Sequence, residues 1–95
     1  MRVSHHFKER LQERFAKVAN DYGVSETIEV LKEVFDGPYS YYDIGNNVIR
    51  VDFNLRIREN EKKYKTHKMI IIATNENDPT LITVLKEKMV RHKMG

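Results

Sequence analysis

Residues 49–58 read IRVDFNLRIR. Ile49, Val51, Phe53, Leu55 and Ile57 alternate without a break with Arg50, Asp52, Asn54, Arg56 and Arg58. Successive side chains of a β-strand point to opposite sides, so a period of two predicts a long strand with one buried and one wet face. Working outward, Glu59 to Lys62 is polar and predicts a turn, and Tyr64 to Thr74 predicts a second long strand. Its MIIIA centre, Met69 to Ala73, predicts burial on both sides. Asn75 to Thr80, with Asp78-Pro79, reads as a loop, and Leu81 to Leu85 as a further strand. On the other side, Gly45-Asn46-Asn47 marks a turn preceded by a strand from Tyr39 to Ile44. Links this short join antiparallel neighbours.

The first third of the chain has a helical period. Ser4 suits an N-cap, and Phe7, Leu11, Phe15, Val18 and Tyr22 form one apolar stripe that Gly23 ends. Ser25 suits a second cap, followed by Ile28, Leu31, Val34 and Phe35, and Asp36-Gly37-Pro38 stops that helix. The expected fold class is therefore α+β, ααββββ, with two N-terminal helices packed on one face of a four-stranded antiparallel sheet. Residues 1–85 make one domain and residues 86–95 a basic tail, frayed or weakly helical. The opposite sheet face, carrying Arg50, Arg56 and Arg58, is the expected ligand surface.

Composition narrows the function classes. No cysteine is present, which excludes disulfides and thiolate metal sites. The four histidines, His5, His6, His67 and His92, lack ligand spacing, and no metal or cofactor is expected. No phosphate-loop or glycine-rich nucleotide motif occurs. The longest apolar run is far too short to span a bilayer, and the opening residues lack the apolar core of a secretion signal. A cytoplasmic protein without membrane contact is the expectation.

The net charge of +3 is unevenly spread. Asp21 to Asp43 has six acids and one lysine, Ile44 to Lys68 has seven Lys/Arg against three acids, and Lys86 to Gly95 has four Lys/Arg against one. A basic sheet face with a basic tail, turned away from an acidic helix, suits a polyanion. Mixed charge of this kind is also ordinary on a solvated surface.

His6, Arg10 and Arg14 lie four residues apart on the first helix, bordering its apolar stripe. Glu9 and Glu13 can pair with such arginines on a solvated face, each pair worth a few tenths of a kcal/mol (roughly 0.2–0.5). The string S-x-H-x-x-x-R-x-x-E-R at Ser4, His6, Arg10, Glu13 and Arg14, with the late step Ile82-Thr83-Val84, resembles a small toxin-like domain family. That family is grouped with the barnase, EndoU, colicin and RelE-like ribonucleases. The resemblance implies a metal-independent endoribonuclease or RNA-binding domain, with His6, Arg10 and Thr83 in the site. Family members leave the first helix directly after the second arginine, whereas the stripe here predicts a helix continuing to Tyr22.

Metal-free RNA cleavage needs a base, an acid and fixed cations around the phosphorane. His6 and His67 are the proton-transfer candidates, Arg10 with Arg50 or Arg56 the phosphate clamp, and Thr83 a hydrogen-bond donor. Arg14, Arg58 and Lys86 extend the expected nucleic-acid contacts, and Tyr41 offers a stacking surface. The partner is then RNA, with a cognate inhibitor or host protein as a further one. The alternative is a non-catalytic interaction protein that binds a partner protein or nucleic acid through its charged face. Cleavage also requires that the first helix and the Arg50 row open onto one hollow.

Overall fold

A computed structural model describes residues 1–94, the last four by backbone alone. Gly95 and the side chain of His92, both in the expected tail, lie outside the described residues. The elements run β1 (Arg2–Val3), α1 (His5–Arg14), α2 (Ala16–Asp21), α3 (Val24–Asp36), β2 (Tyr42–Gly45), β3 (Val48–Asn60), β4 (Lys63–Thr74), β5 (Thr80–Lys86) and α4 (Glu87–Met94). The α+β class holds, but the sheet has five strands in the order β1-β5-β4-β3-β2. All neighbours are antiparallel except β1, which pairs parallel with β5.

The strand over residues 49–58 behaves as its alternation requires. Ile49, Val51 and Leu55 are buried, while Asp52, Asn54, Arg56 and Arg58 are exposed. Directly opposed residues of an antiparallel pair share a face. The pairs Val51 with Ile71 and Leu55 with His67 therefore put His67 on the helix-covered side. The pairs Arg56 with Thr66 and Arg58 with Tyr64 lie on the other side. The two-residue link Asn46-Asn47 has φ of 57° and 59°, the left-handed pair that a tight hairpin demands.

One core fills the space between sheet and helices. Phe7, Leu11, Phe15, Val18, Leu31 and Phe35 meet Ile49, Val51, Leu55, Ile71, Leu81 and Val84. Burying each such side chain contributes about 1.5–3 kcal/mol. Met69, Ile70 and Ala73 are also buried, as the MIIIA run requires.

Several expectations change. The first helix does not continue to Tyr22. Its backbone breaks at Phe15 (φ −127°, ψ 51°), so α1 ends at Arg14 and α2 carries Val18 separately into the core. No glycine or proline sits there, and both Phe15 and Val18 are buried. Ser25 does not cap the next helix, which starts at Val24 after Gly23. Gly23 has φ of 116°, and its carbonyl accepts from Thr27 Oγ1 at 2.7 Å. The residues from Tyr39 to Tyr41 are not strand, and β2 starts at Tyr42. Within the expected tail, Lys86 ends β5 and Glu87–Met94 form α4, in line with the helical form of that expectation.

The unexpected strand, β1, has two residues and is too short to show a period. Arg2 N–H donates to the Pro79 carbonyl at 2.9 Å and Ser4 N–H to Leu81 at 3.1 Å, which holds β1 along β5. The Met1 amino group pairs with Asp78, whose carboxyl is held below its ordinary value chiefly by that hydrogen bond. The face opposite the helices also differs from the expected open ligand surface. It is not fully open, because α4 packs against β5 and β4 there and Ile70 is buried on that side.

Candidate nucleic-acid interface

The sheet separates the expected site residues into groups. His6 and Arg10 lie on α1, which covers one face, with Phe7 and Leu11 pointing into the core. Arg50, Arg56, Arg58 and Thr83 lie on the opposite face, where Arg50 pairs across from Ile72 and Ile72 from Thr83. The layer of buried side chains stands between the two groups, so the first helix and the Arg50 row do not share a hollow.

Ser4, Arg10, Glu13 and Arg14 of the first-helix string each have a hydrogen-bond partner. Ser4 Oγ accepts from Phe7 N–H at 3.0 Å and donates to the Ile82 carbonyl at 3.0 Å. His6 is exposed, and His5 pairs with Glu9 at 2.7 Å. Arg10 Nη1 is 2.8 Å from Glu13 Oε2, one turn away. Arg14 Nη1 donates to the Val84 carbonyl at 2.9 Å and so fastens the end of α1 to β5.

The open face neutralises part of its own charge. Arg50 holds Asp52 through two hydrogen bonds, Nε to Oδ1 at 2.7 Å and Nη2 to Oδ2 at 3.1 Å. That bidentate bond raises the Arg50 pKa further and leaves its fork occupied. Lys68 lies 3.3 Å from Glu87 at the start of α4. A hollow of about 370 Å³ between these pairs is mixed in charge. Thr83 Oγ1 is buried without a hydrogen-bond partner among the described residues. A register shift beside Ile72 and Ala73 puts both Leu81 and Val84 on the core side, three residues apart, and Thr83 on the other. Tyr41 is placed elsewhere, in a loop beside Gly37 and Asn75, with its ring 5.9 Å from that of Tyr39.

Three expected residues do converge. Beyond Met69, β4 has no β5 partner, so the edge from Lys63 to Lys68 is free. A hollow of about 430 Å³ lies along this edge, beneath the junction of α1 and α2. Arg14, Lys17, Lys65, His67, Lys86 and Lys88 line it, Lys68 adds a further cation, and no Asp or Glu does so. Lys17 reaches Glu59 at 3.5 Å outside the hollow, and Lys68 is shared with Glu87. Lys65, Lys86 and Lys88 have no paired carboxylate among the described residues, and Lys17 and Lys88 carry no sequence signal of a site. Nothing in their spacing marks them. Only the break at Phe15 and the short reach of β5 bring them to Lys65.

His67 is the titratable centre of this hollow. Burial, then the neighbouring Lys65 and Lys17, push its pKa below the ordinary imidazole value, against a smaller opposing pull from Glu59. The neutral ring is therefore the resting form near pH 7. Such an arrangement can hold phosphate oxygens on several ammonium groups and the remaining donors of Arg14. Among the described residues no group of three or more His, Asp or Glu side chains could hold a metal ion, and no helix is long and apolar enough to cross a membrane.

No protein-family model, curated protein or solved structure matches this chain. What fold and site define is a class: a small α+β domain with a cationic hollow at a free sheet edge.

Proposed function

We propose that the protein binds RNA, with the hollow along the free edge of β4 as its phosphate-contacting surface. The observation that carries this reading is the lining itself, six Lys/Arg and a histidine with no acid among them. Four of the six, Arg14, Lys65, Lys86 and Lys88, have no paired carboxylate among the described residues, and like charges lining one hollow favour a polyanion that displaces their counterions.

The test is fluorescence polarisation of a labelled oligoribonucleotide across a salt series. Neutralising three or four phosphates on a single strand gives a slope of log K against log salt of roughly −2 to −3. The double variant Lys65→Glu, Lys86→Glu is expected to weaken binding at least tenfold at low salt. Arg50→Ala, which removes a guanidinium already paired with Asp52, is expected to change it less than twofold. Equal affinity for the parent and the double variant overturns the proposal and leaves the alternative, a module that docks a partner protein.

Metal-free cleavage at the same hollow is a second reading, favoured by one observation: the neutral imidazole of His67 among the cations. His67 would take the proton of a ribose 2′-hydroxyl as its oxygen attacks the adjacent phosphorus, Arg14 would hold the phosphate, and the departing 5′-oxygen would take its proton from a lysine ammonium of the lining or from water. His6 and Arg10 have no part in it. Intact RNA after prolonged incubation with the parent in the presence of a chelator removes this reading and leaves binding.

A further inference from the structure

Past Arg50, β3 loses its β2 partner, and beyond Met69, β4 loses its β5 partner. The two strands continue as a ribbon of two, ending at the turn between Asn60 and Lys63. On its open side Arg56 stands across from Thr66 and Arg58 across from Tyr64. The Arg56 guanidinium carbon lies 4.4 Å from the centroid of the Tyr64 ring and that of Arg58 5.7 Å from it. Arg58 is steadied by a 3.0 Å hydrogen bond from Nη2 to the Glu61 carbonyl. Tyr64 keeps 48% of its surface in water. No carboxylate pairs with either arginine among the described residues.

We propose that this arm is a stacking platform for an unpaired base, and that the RNA taken by the protein is single-stranded. The inference rests on the RNA-binding reading and adds the form of the ligand. A cross-strand cation–π contact alone would account for one arginine over the ring. Two guanidinium groups held against one half-exposed ring, neither ion-paired among the described residues, leave planar surface free for a base and donors free for its phosphate, although Asp21 and Glu59 line a hollow beside Arg58. The bases of a duplex are stacked inside the helix and cannot reach such a surface. Thr66 joins the two regions, since it stands beside Tyr64 on the arm and also lines the cationic hollow. A strand lying in the hollow thus reaches the platform by rounding the free edge of β4.

The experiment compares an unpaired mixed-sequence oligoribonucleotide with the same strand annealed to its complement. The parent is expected to prefer the unpaired form. Tyr64→Leu is expected to weaken binding of unpaired RNA roughly 5- to 150-fold, the loss of one stacked base, with little change for the duplex. Tyr64→Phe keeps the ring and is expected to bind as the parent does. Arg56→Gln tests the platform without touching the aromatic ring and is expected to lower affinity for the unpaired strand. Equal binding of both forms, or an unchanged affinity in Tyr64→Leu, overturns the inference. If Lys65→Glu, Lys86→Glu weakens binding while Tyr64→Leu does not, the platform fails and the RNA-binding reading stands. If polyglutamate displaces the unpaired strand as well as unlabelled RNA does, charge alone is being read and the platform is overturned.

Discussion

The Ser4 hydroxyl serves two partners, the first turn of α1 and the Ile82 carbonyl of β5. Ser4→Ala removes the cap, worth about 1 kcal/mol, and strands a half-buried carbonyl, worth roughly another 1 kcal/mol. The expected outcome is a loss of about 2 kcal/mol, read in thermal unfolding as a drop of roughly 8–16 °C. Ser4→Asp restores the acceptor but not the donor and is expected to recover about half. At His67 the sign of the pH dependence follows from the lowered pKa. The unfolded chain takes up this proton first, so the stability given by the neutral ring is full above about pH 6.5 and is lost as pH falls through the lower folded value. RNA affinity runs the other way over the same window, because bound phosphate favours the imidazolium facing Lys65 and Lys17. His67→Gln is expected to flatten both curves, measured by denaturant unfolding and by RNA titration. Ser4 was legible as a cap from its place before an apolar stripe, whereas its second bond to β5 depends on a strand 78 residues away.

At the scale of elements, legibility followed the strength of the period. Ten residues of β3, 49–58, have a clear alternation inside a strand of thirteen; the two residues of β1 have none. The break at Phe15 was hidden because a stripe of Phe7, Leu11, Phe15 and Val18 fits one helix as well as two. The backbone leaves the helical region at Phe15 with no glycine or proline to announce it. Tyr39 to Tyr41 has strand-forming side chains, but Tyr39 packs on Phe35 with ring centroids 4.8 Å apart, which keeps the segment with α3 and off the sheet. The free edge of β4 has its own consequence. Lys63 and Lys65 place charge along unpaired backbone groups, which discourages edge-to-edge association of copies. Lys63→Val with Lys65→Val is expected to convert a monodisperse protein into one that associates with rising concentration, measured by light scattering.

For the whole molecule, the sheet acts as a wall between two chemistries. One side carries the core and, at its end, the cationic hollow. The other carries paired charges, α4 and the arginine–tyrosine arm. The candidate site was legible only in part for this reason: Arg14, His67 and Lys86 are adjacent in space through a free strand edge that no local pattern announces. The alternation at Arg50, Arg56 and Arg58 marked them as one row without showing that Asp52 closes the first of them. The parallel pairing of β1 with β5 bears on how the protein is made. Arg2 and Val3 wait for Thr80 and Leu81, so on the ribosome the chain from Arg2 through Leu81 must emerge before β1 can join the sheet. Closing so long a loop comes late in folding and slows it, and until then the outer edge of β5 stays open to capture by a neighbouring nascent chain.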